Sequence, residues 1–147
     1  MTPSMKELKE LVETKFDFLR NMGLKVLSLE PNTVKLMLPM KGNENHLGTV
    51  WAGALFTLAE VPGGILVFTT FDAARFYPVV KEMNIKYVKP AATDVTIEIG
   101  LDQAQADRLE KEAENKGKAD FTLDGELVDA GGNVVAVTQG FYQLRKY

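Results

Sequence analysis

Apolar residues near the start of the chain recur at steps of three and four, the period of a helix with one buried face. They are Met5, Leu8, Leu11, Val12, Phe16 and Leu19. The pattern predicts one helix over 5–19, and Gly23 is placed to end it. Two β-rich runs follow, over 25–29 and 33–38. Because Pro31 and Asn32 between them suit a tight turn, we expect a hairpin.

The segment over 50–71 is almost wholly apolar and is long enough to cross a membrane. Pro62-Gly63-Gly64 in its middle, with Glu60 beside them, argues against a membrane span. Proline lacks a backbone donor and clashes with the preceding helical turn. We therefore expect a buried helix that is broken or kinked at Pro62.

The rest of the chain alternates apolar and polar residues, the period of a sheet with one covered face. Four further strands are predicted, over 77–88, 94–101, 118–129 and 134–144. A charged helix is expected between the second and third of these, with Asp102 as its N-cap and Gly117 as its stop. Together, these predicted helices and strands indicate one α+β domain over 1–147, in which about five or six antiparallel strands wrap around the long helix. Its edge strands favour pairing into a dimer.

Composition narrows the classes of function. The net charge of −3 and pI near 5.2 supply no broad basic surface, so a nucleic-acid partner is not expected. The chain has no cysteine and one histidine, His46. Thiol nucleophiles, thiolate zinc sites and multi-histidine metal sites are therefore excluded, and we expect no metal. Charged residues interrupt the first 20 positions, which lack the apolar core of a secretion signal, so a cytoplasmic protein is expected.

Glu60 is the only ionisable residue in the long apolar segment. Burial of an unpaired carboxylate costs free energy or raises its pKa. The functional interpretation is a carboxylate in a cleft that acts as a general base or as a nucleophile. The structural alternative is that Glu60 reaches solvent or an ion pair near Pro62, which also frees the carbonyl of Leu58.

Small and polar residues surround the predicted start of the long helix: Asn45, Gly48, Thr49, Ala52 and Gly53. Unpaired N–H groups and the helix dipole attract negative charge at such an end. A ligand carbonyl could approach the N–H groups of Ala52 and Gly53 closely, as in an oxyanion hole, although an ordinary glycine-containing loop fits the same pattern. Ala52 and Glu60 are eight residues apart, about 12 Å on one helix. The spacing therefore predicts a site shared between two subunits.

The segment from Asn45 to Glu60 reads Asn-x-x-Gly-Thr-x-Trp-Ala-Gly, then six residues, then Glu. It resembles the central-helix motif of hotdog-fold acyl-CoA thioesterases of the phenylacetic-acid-pathway and 4-hydroxybenzoyl-CoA thioesterase type. Residues 83–91 are similar to the strand after that helix, and the resemblance covers roughly 35–145. It implies a hotdog fold, hydrolysis of an acyl-CoA or acyl-carrier thioester to the acid and thiol, and a homodimer or dimer of dimers (a homotetramer). Coenzyme A enters only as part of the substrate, with no separate cofactor.

The resemblance also implies roles for individual residues. Glu60 corresponds to the catalytic acid, and Ala52 and Gly53 to the backbone donors of the thioester oxygen. Asn45 corresponds to the residue that helps hold the thioester or water, on the other subunit from Glu60. The expected substrate-binding residues are Trp51, Gly48, Thr49 and Val80.

Three positions depart from the family pattern. Trp51 stands where a histidine is usual, Ala52 replaces the first glycine of a pair, and Val80 stands where many members have serine or threonine. These changes leave a second function open, a non-catalytic protein that binds acyl thioesters or fatty-acyl ligands. Trp51 either caps the core or shapes the acyl pocket.

Overall fold

The computed structural model of the protein describes residues 2–147, so Met1 of the predicted domain lies outside the described residues. Its elements are α1 (Met5–Glu10), a π-helical turn (Leu11–Lys15), α2 (Asp17–Met22), β1 (Lys25–Glu30), β2 (Thr33–Leu38), α3 (Ala52–Thr70), β3 (Phe76–Tyr87), β4 (Val95–Gly100), α4 (Gln103–Lys116), β5 (Lys118–Asp129) and β6 (Val134–Lys146). The predicted α+β architecture is confirmed, with six antiparallel strands around one long helix.

The strands lie in the order β1-β2-β4-β5-β6-β3. The core forms between the inner face of this sheet and α3, which packs against β2, β3, β4, β5 and β6. Alternate residues of β2 point inward and are fully buried, as the period of two requires. From α3, Leu58 and Leu66 are fully buried among them. Because α3 is apolar on nearly all sides, it can occupy this central position.

Several expected boundaries are confirmed. Gly23 ends α2 and Gly117 ends α4, both in the left-handed conformation. Asp102 caps α4, and its carboxylate accepts a hydrogen bond from the N–H of Gln105 at 2.7 Å. Asn32 forms the β1–β2 turn with a positive φ of 66°. These boundaries could be predicted because capping and turn geometry depend on residues that are neighbours in the sequence.

The prediction of a single helix over 5–19 is wrong. Phe16 adopts an extended conformation, with φ of −89° and ψ of 105°, between the π-helical turn and α2. Val12 and Leu19 are buried, but Phe16 is 48% exposed. A π-helical turn has more residues per turn than an α-helix, so a pattern of threes and fours no longer describes one face across it.

Of the break or kink predicted at Pro62, the break is wrong, because α3 runs continuously from Ala52 to Thr70. Pro62 is buried, and its neighbour Gly63 leaves room for the ring of Tyr142 from β6. A Cβ atom at Gly63 would lie 2.2 Å from that ring. The Tyr142 hydroxyl donates to the main-chain carbonyl of Glu60 at 3.0 Å. Tertiary packing therefore supports the helix where proline removes a backbone hydrogen bond.

By length and composition α3 could cross a membrane, as the sequence also indicated, and half of its most apolar window is buried inside the fold. The core helix of a globular protein meets the same two criteria. The packing of α3 against five strands therefore agrees with the expected buried helix.

The sheet has a free edge at β3 and a short pairing between β4 and β5. β3 pairs only with β6, so its other edge has no partner within residues 2–147. β4 and β5 pair only through Val95 and Thr96, and α4 connects their far ends and packs on β5 and β6. A free edge of 12 residues is long for a sheet, and such edges favour pairing with another strand.

Candidate active site

The first turn of α3 presents free backbone donors. The N–H groups of Ala54 and Leu55 bond to the carbonyl of Trp51, at 3.0 and 3.1 Å. Those of Ala52 and Gly53 have no acceptor among residues 2–147, and Trp51 provides no side-chain cap. Two uncapped N–H groups at the positive end of a 19-residue helix can hold an oxyanion.

The loop before α3 is held by the side chain of Asn45. Its Oδ1 accepts hydrogen bonds from the N–H groups of Leu47 and Thr49, at 2.9 and 3.1 Å, and its Nδ2 donates to Thr49 Oγ1 at 2.9 Å. Gly48 sits at the bend with a φ of 75°. The amide of Asn45 is therefore occupied in shaping the loop, and its predicted role toward a thioester or water stays a prediction.

Two hollows flank the start of α3. The first, of about 350 Å³, lies beside Asn45, Thr49 and Ala52 and is closed by the end of β3 and by Lys89. The second, of about 400 Å³, lies beside Trp51 and Gly53 on the side of α2. The structure thus places five of the eight predicted site residues along two separate hollows beside one helical turn, whereas Gly48, Glu60 and Val80 line neither.

The structure places Trp51 at the second hollow and Val80 away from both hollows. Trp51 is 56% exposed and lines the second hollow, which argues against a role in capping the core. Val80 is an exposed residue of β3 opposite Tyr142 of β6, and it lines neither hollow. Within one chain, Val80 is therefore not brought together with the first turn of α3.

Glu60 lies two turns along α3 from Ala52 and lines neither hollow of its own chain. It is half-buried, and its carboxylate has no hydrogen-bond or ion-pair partner among the described residues. Burial raises the pKa of the Glu60 carboxyl above its ordinary value. The ion pair considered from the sequence is thus not formed within residues 2–147, and the side chain keeps partial access to solvent.

Two tyrosines near these groups were not expected from the sequence. The Tyr87 hydroxyl donates to the carbonyl of Ala52 at 2.9 Å and so ties the end of β3 to the first turn of α3. Tyr142 contacts the Glu60 main chain, and the pKa of its hydroxyl is raised by burial and by the nearby charge of Glu60. Tyr87 belongs to the second segment of the family resemblance, whereas no local signal connects Tyr142 with a residue 82 positions away.

No group of three side chains suited to a metal ion occurs among residues 2–147. The polar groups near this part of α3 are backbone donors, one carboxylate and two tyrosine hydroxyls. Backbone donors of this kind can hold an oxyanion, and a carboxylate can accept a proton.

Comparison with known proteins places the chain in a family. A family model described as a domain of unknown function, DUF4442, matches residues 5–141. No curated protein matches the sequence. A protein of unknown function from Pseudomonas aeruginosa, described as a probable thioesterase, is 46% identical with a TM-score of 0.95, over 100% of this chain and 99% of that chain.

More distant structures share the architecture. A protein of unknown function from Chlorobaculum tepidum is 22% identical, with a TM-score of 0.83 over 97% of this chain and 94% of that chain. A thioesterase from Haemophilus influenzae is 12% identical, with a TM-score of 0.77 over 99% of this chain and 93% of that chain. The six-stranded sheet around a central helix matches these hotdog-type structures. The chain therefore has the hotdog fold and belongs to the DUF4442 family.

Proposed function

We propose that this protein hydrolyses an acyl thioester of coenzyme A, or of an acyl carrier, to the free acid and the thiol. The observation that carries the proposal is the half-buried Glu60 carboxylate, which has no partner within residues 2–147 and a raised pKa. A carboxylate left unpaired at a cost in stability is typical of a functional site. The description of the 46%-identical Pseudomonas aeruginosa protein as a probable thioesterase supports the same reaction.

In the proposed reaction, water attacks the thioester carbonyl carbon while Glu60 accepts its proton. The N–H groups of Ala52 and Gly53 hold the oxyanion, the C–S bond then breaks, and the thiolate takes the proton from Glu60. In the alternative route, the Glu60 carboxylate attacks the carbonyl carbon and the C–S bond breaks as the thiolate leaves. Water then hydrolyses the mixed anhydride to the acid and the Glu60 carboxylate, and the thiolate takes up the proton that this step releases. Both routes place the acyl carbon within reach of the free N–H groups and of a carboxylate.

We propose further that each site is shared between two subunits of a homodimer, as in the phenylacetic-acid-pathway and 4-hydroxybenzoyl-CoA type. Ala52 and Glu60 lie on one continuous helix, which separates them by about 12 Å. A single carbonyl cannot contact both at that separation. The unpaired edge of β3 and the exposed Val80 and Tyr87 on it support pairing with a second copy.

A thiol-release assay on acetyl-CoA, decanoyl-CoA and benzoyl-CoA tests this function. We expect Glu60→Gln to lower kcat by about 10²- to 10⁴-fold, the usual contribution of a general base. Glu30→Gln, which changes an exposed glutamate at the end of β1, is the matched control and should keep full activity. Full hydrolysis by Glu60→Gln would reject both routes. Binding of all three thioesters without turnover by the unmodified protein would instead favour the non-catalytic function.

A further inference from the structure

The second of the two hollows at the start of α3 lies on the side of α2, and we call it the α2 hollow. Its lining includes Phe18, Met22, Glu44, Trp51, Gly53 and Thr57. The two aromatic side chains are largely exposed, Phe18 to 67% and Trp51 to 56%. Its volume of about 400 Å³ lies in the range of small-molecule pockets, which are usually lined by apolar and aromatic groups.

We propose that the α2 hollow binds the acyl group of the substrate, whereas the hollow beside Tyr87 and Lys89 receives the coenzyme A arm. This assignment rests on the proposed function, because it takes the thioester carbonyl to lie at the N–H groups of Ala52 and Gly53. Ala52 lines the hollow beside Tyr87 and Lys89, and Gly53 lines the α2 hollow. A thioester held between them has its two ends directed into different hollows.

The charged residues that line the two hollows indicate which end of the thioester enters each of them. The Glu44 carboxylate in the lining of the α2 hollow accepts a hydrogen bond from the N–H of Gly42 at 2.7 Å, and it repels phosphate groups. Lys89 lines the other hollow, forms no close ion pair within residues 2–147, and interacts with the Asp129 carboxylate only at longer range. Coenzyme A carries several phosphate charges, so its arm is directed toward Lys89. An uncharged linear or aromatic acyl group suits the two aromatic walls of the α2 hollow.

The assignment makes Phe18 a specificity-determining residue. It lies on α2, the short helix that the extended Phe16 separates from the preceding turn. Phe18→Ala removes one wall of the hollow without changing a buried position, because its side chain is mostly exposed. Thr57→Phe adds a ring at another lining position and reduces the space in the hollow. Phe16→Ala removes an exposed phenylalanine that does not line the hollow, which makes it the matched control.

Trp51, the only tryptophan of the chain, reports on the hollow directly. The probes are the S-decyl thioether of coenzyme A, which cannot be hydrolysed, and free coenzyme A. We expect the thioether to change the Trp51 emission and free coenzyme A to bind without changing it, with calorimetry measuring binding in both cases. Phe18→Ala and Thr57→Phe should each weaken thioether binding about tenfold, the scale of one or two methylene contacts, and leave the Kd of free coenzyme A unchanged. Phe16→Ala should change neither Kd.

The assignment is overturned if the thioether binds without changing the emission, or if Phe18→Ala and Phe16→Ala weaken its binding equally. Neither outcome affects the proposed function, which depends on hydrolysis that requires Glu60. If the unmodified protein binds neither probe and also hydrolyses no thioester, the proposed function fails together with the assignment. A protein that hydrolyses decanoyl-CoA with the same chain-length preference in all three variants keeps its function but not this acyl site.

Discussion

At the scale of single residues, Glu60 combines a cost in stability with the chemical role that we propose for it. Its carboxyl pKa is raised because burial disfavours the charged form, and no partner within residues 2–147 offsets that effect. A raised pKa makes the carboxylate a better proton acceptor than an exposed glutamate. Such a group is retained where it performs a reaction, since a neutral side chain at the same place is easier to bury.

The stability of the protein should depend on pH through Glu60. The folded state holds the proton to a higher pH than the unfolded chain does, so stability falls as pH rises from the unfolded-state pKa through the raised folded-state pKa. We expect Glu60→Gln to raise the Tm at pH 8 and to have little effect near pH 4, where both states are largely protonated. Thermal denaturation of the two proteins at both pH values measures this. An equal Tm at pH 8, or a gain of the same size for Glu30→Gln, would contradict it.

The first turn of α3 permits a test of its backbone donors. Ala52→Pro removes one N–H at the first helical position, where proline fits well. The preceding Trp51 already has the extended ψ of 135° that proline favours before it. We expect kcat to fall about 10²- to 10³-fold, as for loss of one oxyanion donor, with the Tm nearly unchanged. Steady-state kinetics and thermal denaturation give the two values, and unchanged kcat would exclude the Ala52 N–H from catalysis.

At the scale of elements, Tyr142 explains how α3 continues through Pro62. Its ring stacks on Phe121 with centroids 5.5 Å apart and lies against Gly63 of α3. Gly140, beside it on β6, is equally close, since a Cβ there would lie 2.4 Å from the ring. The two glycines thus form a slot that brings β6 against the helix next to Glu60.

Replacement of Gly63 should therefore destabilise the protein. We expect Gly63→Ala to lower the free energy of unfolding by about 1–3 kcal/mol, because its Cβ would overlap the Tyr142 ring. Gly64→Ala is the matched control, since its Cβ would have only an ordinary contact of 3.9 Å with Pro78. In a helix that change should instead stabilise by about 0.5–1 kcal/mol. Urea denaturation of both variants measures the difference, and equal effects would mean that the slot is not tight.

The elements also show what could be predicted from the sequence. The β1–β2 turn at Asn32 and the ends of α4 depend on neighbouring residues, and both were predicted correctly. The π-helical turn before Phe16 and the unbroken α3 were not, because tertiary packing determines them. Glu60 stood out as a lone charge in an apolar segment, but the two hollows and Tyr142 depend on contacts between distant parts of the chain.

At the scale of the whole molecule, the proposed site is incomplete in one chain. The free donors of Ala52 and the Glu60 carboxylate lie on one rigid helix, and the unpaired edge of β3 offers a surface for a second copy. In a twofold dimer, residue i of one subunit meets residue j of the other, and the reverse contact also forms. Each dimer then contains two sites, and each site takes its N–H groups from one subunit and its carboxylate from the other.

Mixing two inactive variants tests this arrangement. In a mixed dimer, one subunit carries Glu60→Gln and the other carries Ala52→Pro. One of its two sites then contains both substitutions, and the other site contains neither. Random exchange in a 1:1 mixture, after partial denaturation and refolding, makes about half of the dimers mixed, each with one of two sites intact. We therefore expect recovery of about a quarter of the unmodified activity, which follows from twofold symmetry. Each variant carried through the same procedure alone should stay inactive, and a mixture that also stays inactive would place both groups of a site in one subunit.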